Sequence, residues 1–246
     1  MKKCITLALA LGLLGFLALP ASAQTMLTYR DRTGHVEIII NMWKEELPSG
    51  FMFHSLLSNG DIYRVEIDGS KQTISYRFAS PSRRTSYLAR REGNTILVEG
   101  TLNGSPVSRQ LPIDATTWME SMEWSLGEYA MSGSTRPVHF WVVQPFEAMA
   151  YALQATGEPE ENIVVNGQTQ LAKRVRVRPA GILAPFWSSI YWFRPSDGRF
   201  LRNEAVRGLP GTPKTFVELM EDTSPEELTP LRIGPLRPID TGPDTP

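Results

Sequence analysis

Residues 62–78, Ile62-Tyr63-Arg64-Val65-Glu66-Ile67-Asp68-Gly69-Ser70-Lys71-Gln72-Thr73-Ile74-Ser75-Tyr76-Arg77-Phe78, carry the pattern that decides the fold. Tyr63, Val65 and Ile67 alternate with Ile62, Arg64 and Glu66, and Ile74, Tyr76 and Phe78 share one face of the next run. A period of two residues is that of a strand with one buried side. Asp68-Gly69 between the runs supplies a turn.

The same grammar extends both ways. Upstream lie Val36 to Trp43, Phe51 to Leu57 and the hairpin dipeptide Asn59-Gly60. Downstream, Ser86 to Arg91, Thr95 to Glu99 and Pro106 to Leu111 are separated by Gly93-Asn94 and Asn103-Gly104. After residue 138 strands resume at His139 to Val143, Ile163 to Val165, Leu171 to Arg178, Ser189 to Arg194, Phe200 to Arg207 and Thr215 to Met220. Ala148 to Ala155 fits a short helix or a strand, and the Asn166-Gly167 turn beyond it favours a strand. Short strands with tight turns predict a mainly β fold: a single antiparallel meander, rolled into a curved sheet or half-barrel. One segment changes period. Trp118, Met122, Leu126 and Tyr129 recur near helical spacing, Asp114 offers a cap, and Thr117 with Glu120 has capping-box spacing. These predict one covering helix at about 115–130, ending before Gly133.

The ends read differently. Lys2 and Lys3 precede an uncharged run from Ile5 to Leu19, and Pro20 and Ala21-Ser22-Ala23 follow, the anatomy of a secretory signal peptide. Cleavage is expected between Ala23 and Gln24, which assigns 1–23 to the signal, 24–222 to one β-rich domain and 223–246 to a proline-rich disordered tail. The sole cysteine, Cys4, precedes the apolar run, where a lipidation cysteine would follow it, so the exported chain is expected to carry no disulfide and no acyl chain. No transmembrane span is expected after cleavage, and the expected location is the periplasm.

Catalytic patterns are missing. His35, His54 and His139 have no metal-ligand spacing among them, and no HExxH or GxSxG stands in the chain. Gly208-Leu209-Pro210-Gly211-Thr212-Pro213-Lys214-Thr215 has the outline of a phosphate loop, but Pro213 takes the glycine position. No metal and no cofactor are implied, and the chain reads as a non-enzyme. A net charge of −1 argues against nucleic acid.

Two features stand out. Pro179 to Phe193 runs fifteen residues without a charge and is rich in aromatics. It suits either a plug that closes the sheet's own core or the mouth of a half-barrel that holds an apolar ligand. The candidate lining is Phe186, Trp187, Tyr191, Trp192 and Phe193, with Trp141 a further candidate. In Lys173-Arg174-Val175-Arg176-Val177-Arg178, alternation gathers Arg174, Arg176 and Arg178 on one face. That face is either a solvated sheet surface or a basic stripe for anionic head groups or an acidic partner. Arg83, Arg84, Arg90 and Arg91 form a second basic cluster.

Phe186 to Glu204, with Tyr191-Trp192-Phe193-Arg194, Asp197-Gly198 and Leu201-Arg202 within it, followed by Pro210 to Thr215 and Glu218-Leu219, resembles exported bacterial β-domains of unknown function. Glu161 to Gly167 and Ala172 to Val175 extend the likeness upstream. In outline such domains are similar to the curved sheets of periplasmic lipoprotein carriers, where a bent sheet wraps a helix or a lipid. The resemblance implies a periplasmic β-rich fold and no catalytic residues.

Two functions follow as expectations: binding of a lipid or other apolar or amphipathic cell-envelope ligand, or a protein-protein interaction module of the envelope with a fully packed core. Intact-mass analysis of the protein from an exporting bacterium should give a chain beginning at Gln24 without acylation; a retained Met1 or an acyl mass would contradict the signal reading.

Overall fold

The computed structural model describes residues 25–180, 187–206 and 213–223. The segment 1–23 read as a signal, nearly all of the proline-rich segment 223–246 and the predicted site residue Phe186 lie outside them. Fifteen strands form one sheet. They are β1 (Met26–Thr33), β2 (Val36–Leu47), β3 (Gly50–Leu57), β4 (Ile62–Asp68), β5 (Thr73–Ser80), β6 (Thr85–Glu92), β7 (Thr95–Leu102) and β8 (Ser105–Pro112). Then come β9 (Thr117–Trp118), helix α1 (Met122–Met131), β10 (Val138–Gln144), β11 (Met149–Val165), β12 (Gln168–Pro179), β13 (Ser188–Phe193), β14 (Phe200–Val206) and β15 (Lys214–Thr223).

The order across the sheet is β8-β7-β6-β5-β4-β3-β2-β1-β15-β14-β13-β12-β11-β10-β9. Two meanders therefore join where β1 pairs with β15, in a register that opposes Tyr29 to Leu219. Every pairing is antiparallel except the short parallel contact of β9 with β10. The turns behave as their residues dictate: Asn103-Gly104 and Asn166-Gly167 each place both residues at positive φ.

The sheet rolls until its two ends overlap. Phe53, Val65, Tyr76, Phe78, Tyr87, Ile96 and Val98 on the β3–β8 half share a core with Trp118, Val143 and Ala148 from the opposite end. Strand β10 is consequently buried on both sides, with Phe140 in the core around the helix and Val143 in the other. Helix α1 lies within the curl, with Leu126 and Ala130 buried against the β10–β15 half.

A sheet edge buried in this way must still satisfy its amide groups. Side chains do so here. Glu120 Oε1 accepts from the Trp118 indole at 2.5 Å and from the Val143 backbone N–H. The Arg109 guanidinium on edge strand β8 donates to the carbonyls of Glu147 and Ala148. Arg91 donates to the Asp114 and Thr116 carbonyls, and the Tyr87 hydroxyl to that of Pro145.

The structure corrects three readings. The helix covers Met122–Met131 and not 115–130. Thr117 and Trp118 pair with β10 as a strand, and Glu120 is committed to that edge, so no capping box forms. Asp114 accepts from Thr116 N and Trp141 Nε1 and caps nothing helical. Second, Ile74 is exposed while Tyr76 and Phe78 are buried. A bulge between Glu66 and Ile67 pairs Ile67 with Thr73, which leaves Ile74 as the extra residue turned outward. Third, the central strand β1 lies in a segment that the alternation rules left unassigned. Ala148 to Ala155 is mostly strand, and it runs on through Val165 as one long bulged strand.

The helix fits inside because of two glycines. A Cβ on Gly127 would stand 2.4 Å from the Gly198 carbonyl oxygen, and Gly198, at φ +67, would meet Gly127 in turn. Gly127→Ala should therefore cost about 1–3 kcal/mol in equilibrium unfolding, as overpacking does, while Gly69→Ala, which meets nothing within 4 Å, should change little. Equal midpoints for the two variants would contradict the contact.

Candidate functional site

Strand alternation separates the aromatic residues that lie together in sequence. β13 pairs with β12 so that Tyr191 opposes Val175, Trp192 opposes Arg174 and Phe193 opposes Lys173. Tyr191 and Phe193 stack with their rings 6.2 Å apart and both contact Phe200 at 5.9 Å. Tyr29 stacks on Phe200 at 5.1 Å and donates its buried hydroxyl to the Phe200 carbonyl. Burial pushes that phenol far above its ordinary pKa, so it stays a donor. Trp192 takes the other side of the strand. Its indole donates to Glu161 at 2.7 Å, and the guanidinium groups of Arg174 and Arg202 lie 5.9 and 5.5 Å from its ring. Trp187 is half-buried against the core around the helix. Trp141 belongs to the second core, tied to Asp114 at 2.8 Å.

Arg174 and Arg176 do share a face, with Val175 and Val177 buried behind them, and Arg178 is exposed further along. Glu158 answers two of these charges, at 2.8 Å from Arg174 and 2.5 Å from Arg176. The stripe is thus a mixed-charge surface. Arg91 of the second basic cluster is spent on backbone carbonyls, and Arg83 lies 4.2 Å over the Phe146 ring. Of the histidines, His35 and His139 are exposed, and His54 stacks on Trp43 and bonds Glu45 at 3.0 Å. Among the described residues no cluster of three His, Cys, Asp or Glu could hold a metal ion, and no helix is long and apolar enough to cross a membrane.

A cleft of about 420 Å³ opens elsewhere, along the seam between α1 and the inner face of β1–β4. None of Trp187, Tyr191, Trp192 and Phe193 lines it. Phe53 and Trp124 stack at 4.8 Å on its wall, and Phe51, Leu27, Ile67 and Met131 add apolar surface. Tyr29 and Phe200 also line it, so the Tyr191–Phe193 stack supports it from behind. Lys44 and Lys71 stand at the rim, 4.2 and 5.0 Å from the Phe51 ring centre. Two lining residues, Trp124 and Ser125, carry a buried polar atom, Nε1 and Oγ, without a hydrogen-bond partner. Such atoms are uncommon in a finished core, and both are sealed from solvent behind the cleft surface.

Sequence reading missed this cleft. Its parts come from β1–β4, α1 and the β13–β14 turn, and no local pattern links them. The one local signal is the turn Asp68-Gly69-Ser70-Lys71, where Asp68 accepts from Ser70 N, Ser70 Oγ and Gln72 N and so fixes the turn that presents Lys71.

No family model matches the chain, and no curated protein matches it. Among solved structures, a beta-barrel-like protein of a domain of unknown function, DUF1849, from Brucella abortus superposes with a TM-score of 0.55 at 7% identity, covering 80% of this chain and 95% of that one. The hypothetical lipoprotein YmcC from Escherichia coli gives a TM-score of 0.43 at 11% identity, covering 84% and 86%. Neither description names a catalytic activity. The chain has the fold of a bacterial barrel-like β protein of unknown function.

Proposed function

We propose that this chain is a non-enzymatic periplasmic protein that binds an amphipathic component of the cell envelope in the cleft between α1 and β1–β4. The observation that carries the reading is the composition of that cleft. An aromatic wall of Phe51, Phe53 and Trp124 and a rim bearing Lys44 and Lys71 frame a volume suited to one small ligand. The signal-like segment at 1–23 supports export. The aromatic run Trp187 to Phe193 then serves as the supporting wall, with Tyr191 and Phe193 holding Phe200 in place.

The test is uptake of the amphipathic fluorophore N-phenyl-1-naphthylamine. Wild type should bind it, Phe51→Ala should weaken binding at least tenfold by removing its ring from the aromatic wall, and Trp187→Ala should leave it within about twofold while circular dichroism shows both variants folded. Loss of binding in folded Trp187→Ala alone would move the ligand to the aromatic run. A wild type that takes up no probe would overturn the binding function and leave the interaction module.

A further inference from the structure

The cleft's chemistry goes further than amphipathic character. Resting on the reading above, we infer that the ligand is a single-chain amphiphile with an anionic oxyacid head group, a carboxylate or a phosphate, seated between Lys44 and Lys71.

Two ammonium groups converge on one ring. Lys44 Nζ and Lys71 Nζ lie 4.2 and 5.0 Å from the Phe51 centroid. Their side chains are 37% and 35% exposed, whereas the acids that answer them, Glu46 at 3.9 Å and Glu128 at 3.1 Å, are 70% and 62% exposed. The lysines therefore lie deeper than their counter-ions, and the counter-ions reach in from water. Exposed pairs of this kind contribute little and exchange readily for a better anion. The acid on the opposite rim is already committed: Asp197 pairs with Arg194 at 3.1 Å and with Arg199 at 3.7 Å. Glu123 has an interaction of its own as well.

The wall beside the lysines carries no competing buried acid at Trp124 and Ser125. Trp124 Nε1–H is a donor and nothing else, and it is buried without an acceptor. Ser125, 8% exposed, carries its hydroxyl unpartnered beside it in the chain. Beside the lysines, Met131 with the half-buried Phe51 and Trp124 offers apolar surface for one chain, backed by the buried Leu27, Phe53 and Ile67.

The experiment is calorimetric titration with four twelve-carbon amphiphiles below their micelle concentrations: laurate, monododecyl phosphate, dodecyltrimethylammonium and dodecyl maltoside. The probes meet wild type, Lys44→Glu, Lys71→Glu and Glu128→Gln. Laurate or dodecyl phosphate should bind wild type at least tenfold more tightly than the cationic and neutral probes. Each lysine reversal should weaken the anionic probe tenfold or more and leave the maltoside within twofold. Glu128→Gln, which frees Lys71, should tighten the anionic probe severalfold. Because both lysines are part-exposed, the reversals should fold, and the unchanged maltoside affinity checks it. Equal affinity for all four probes, or lysine reversals that weaken all alike, would overturn the head-group assignment while the amphiphile reading stands. Binding of none of them would overturn both.

Discussion

A sheet whose free edge is rolled into its own interior must feed that edge with hydrogen-bond partners, and the rest of the structure depends on how this is done. Among the described residues neither end of the sheet pairs with the other. The short strand β9 gives β10 a parallel partner at Phe140 and Trp141 only, and beyond it the Val143 amide is met by Glu120. The other end closes through Arg109, Arg91 and Tyr87, each donating to a backbone carbonyl. An unmet buried amide costs about 1–3 kcal/mol, so the Glu120 contact at Val143 bears most on whether the overlap of the two cores is tolerated.

The roll in turn sets the cleft. With β10 inserted between the halves, α1 is held against β12–β14 and faces the inner side of β1–β4 across a seam. Trp124 links the two sides by stacking on Phe53, and the Gly127–Gly198 approach lets the helix sit close to the β13–β14 turn. The seam is left partly unfilled above Phe51, where the lysines stand. Fold and site thus share one cause: the helix occupies most of the curl and leaves a remainder on one side.

Much of the fold was legible because local physics wrote it. Alternation at Tyr63, Val65 and Ile67 placed an inner face that the structure keeps, and the Asn-Gly pairs turned where their φ freedom allows. Arg174 and Arg176 fell on the face that the period predicts, but their neutralisation by Glu158 depends on a bulge between Gly157 and Glu160 in β11 and on a long-range register. The central strand β1 escaped because Asp31 and Arg32 follow Leu27 and Tyr29 and interrupt the apolar alternation. Trp118 suited a helical stripe by spacing, yet it is a fully buried strand residue because its partner β10 lies twenty residues further on, where local period gives no warning. The cleft was illegible for the same reason, as Lys44, Lys71 and Trp124 meet only in three dimensions.

Glu120 reports on the buried edge directly. The residue as a whole is half-buried but its carboxyl is enclosed, and burial raises its pKa to about 8, against the opposing hydrogen bonds from Trp118 and Val143. Glu123 adds to the rise, and Tyr76 and Tyr87 lie within its field. Between the ordinary Glu value of 4.5 and about 8 the folded chain holds a proton that the unfolded chain has released. The stability Glu120 confers is therefore complete below that window and falls as pH rises through it, by up to about 1.4 kcal/mol per pH unit. Equilibrium unfolding of wild type and Glu120→Gln from pH 4 to 9 isolates this one group. Wild type should lose stability relative to the glutamine variant as pH rises across the window; parallel profiles would show Glu120 solvated and the sheet edge open.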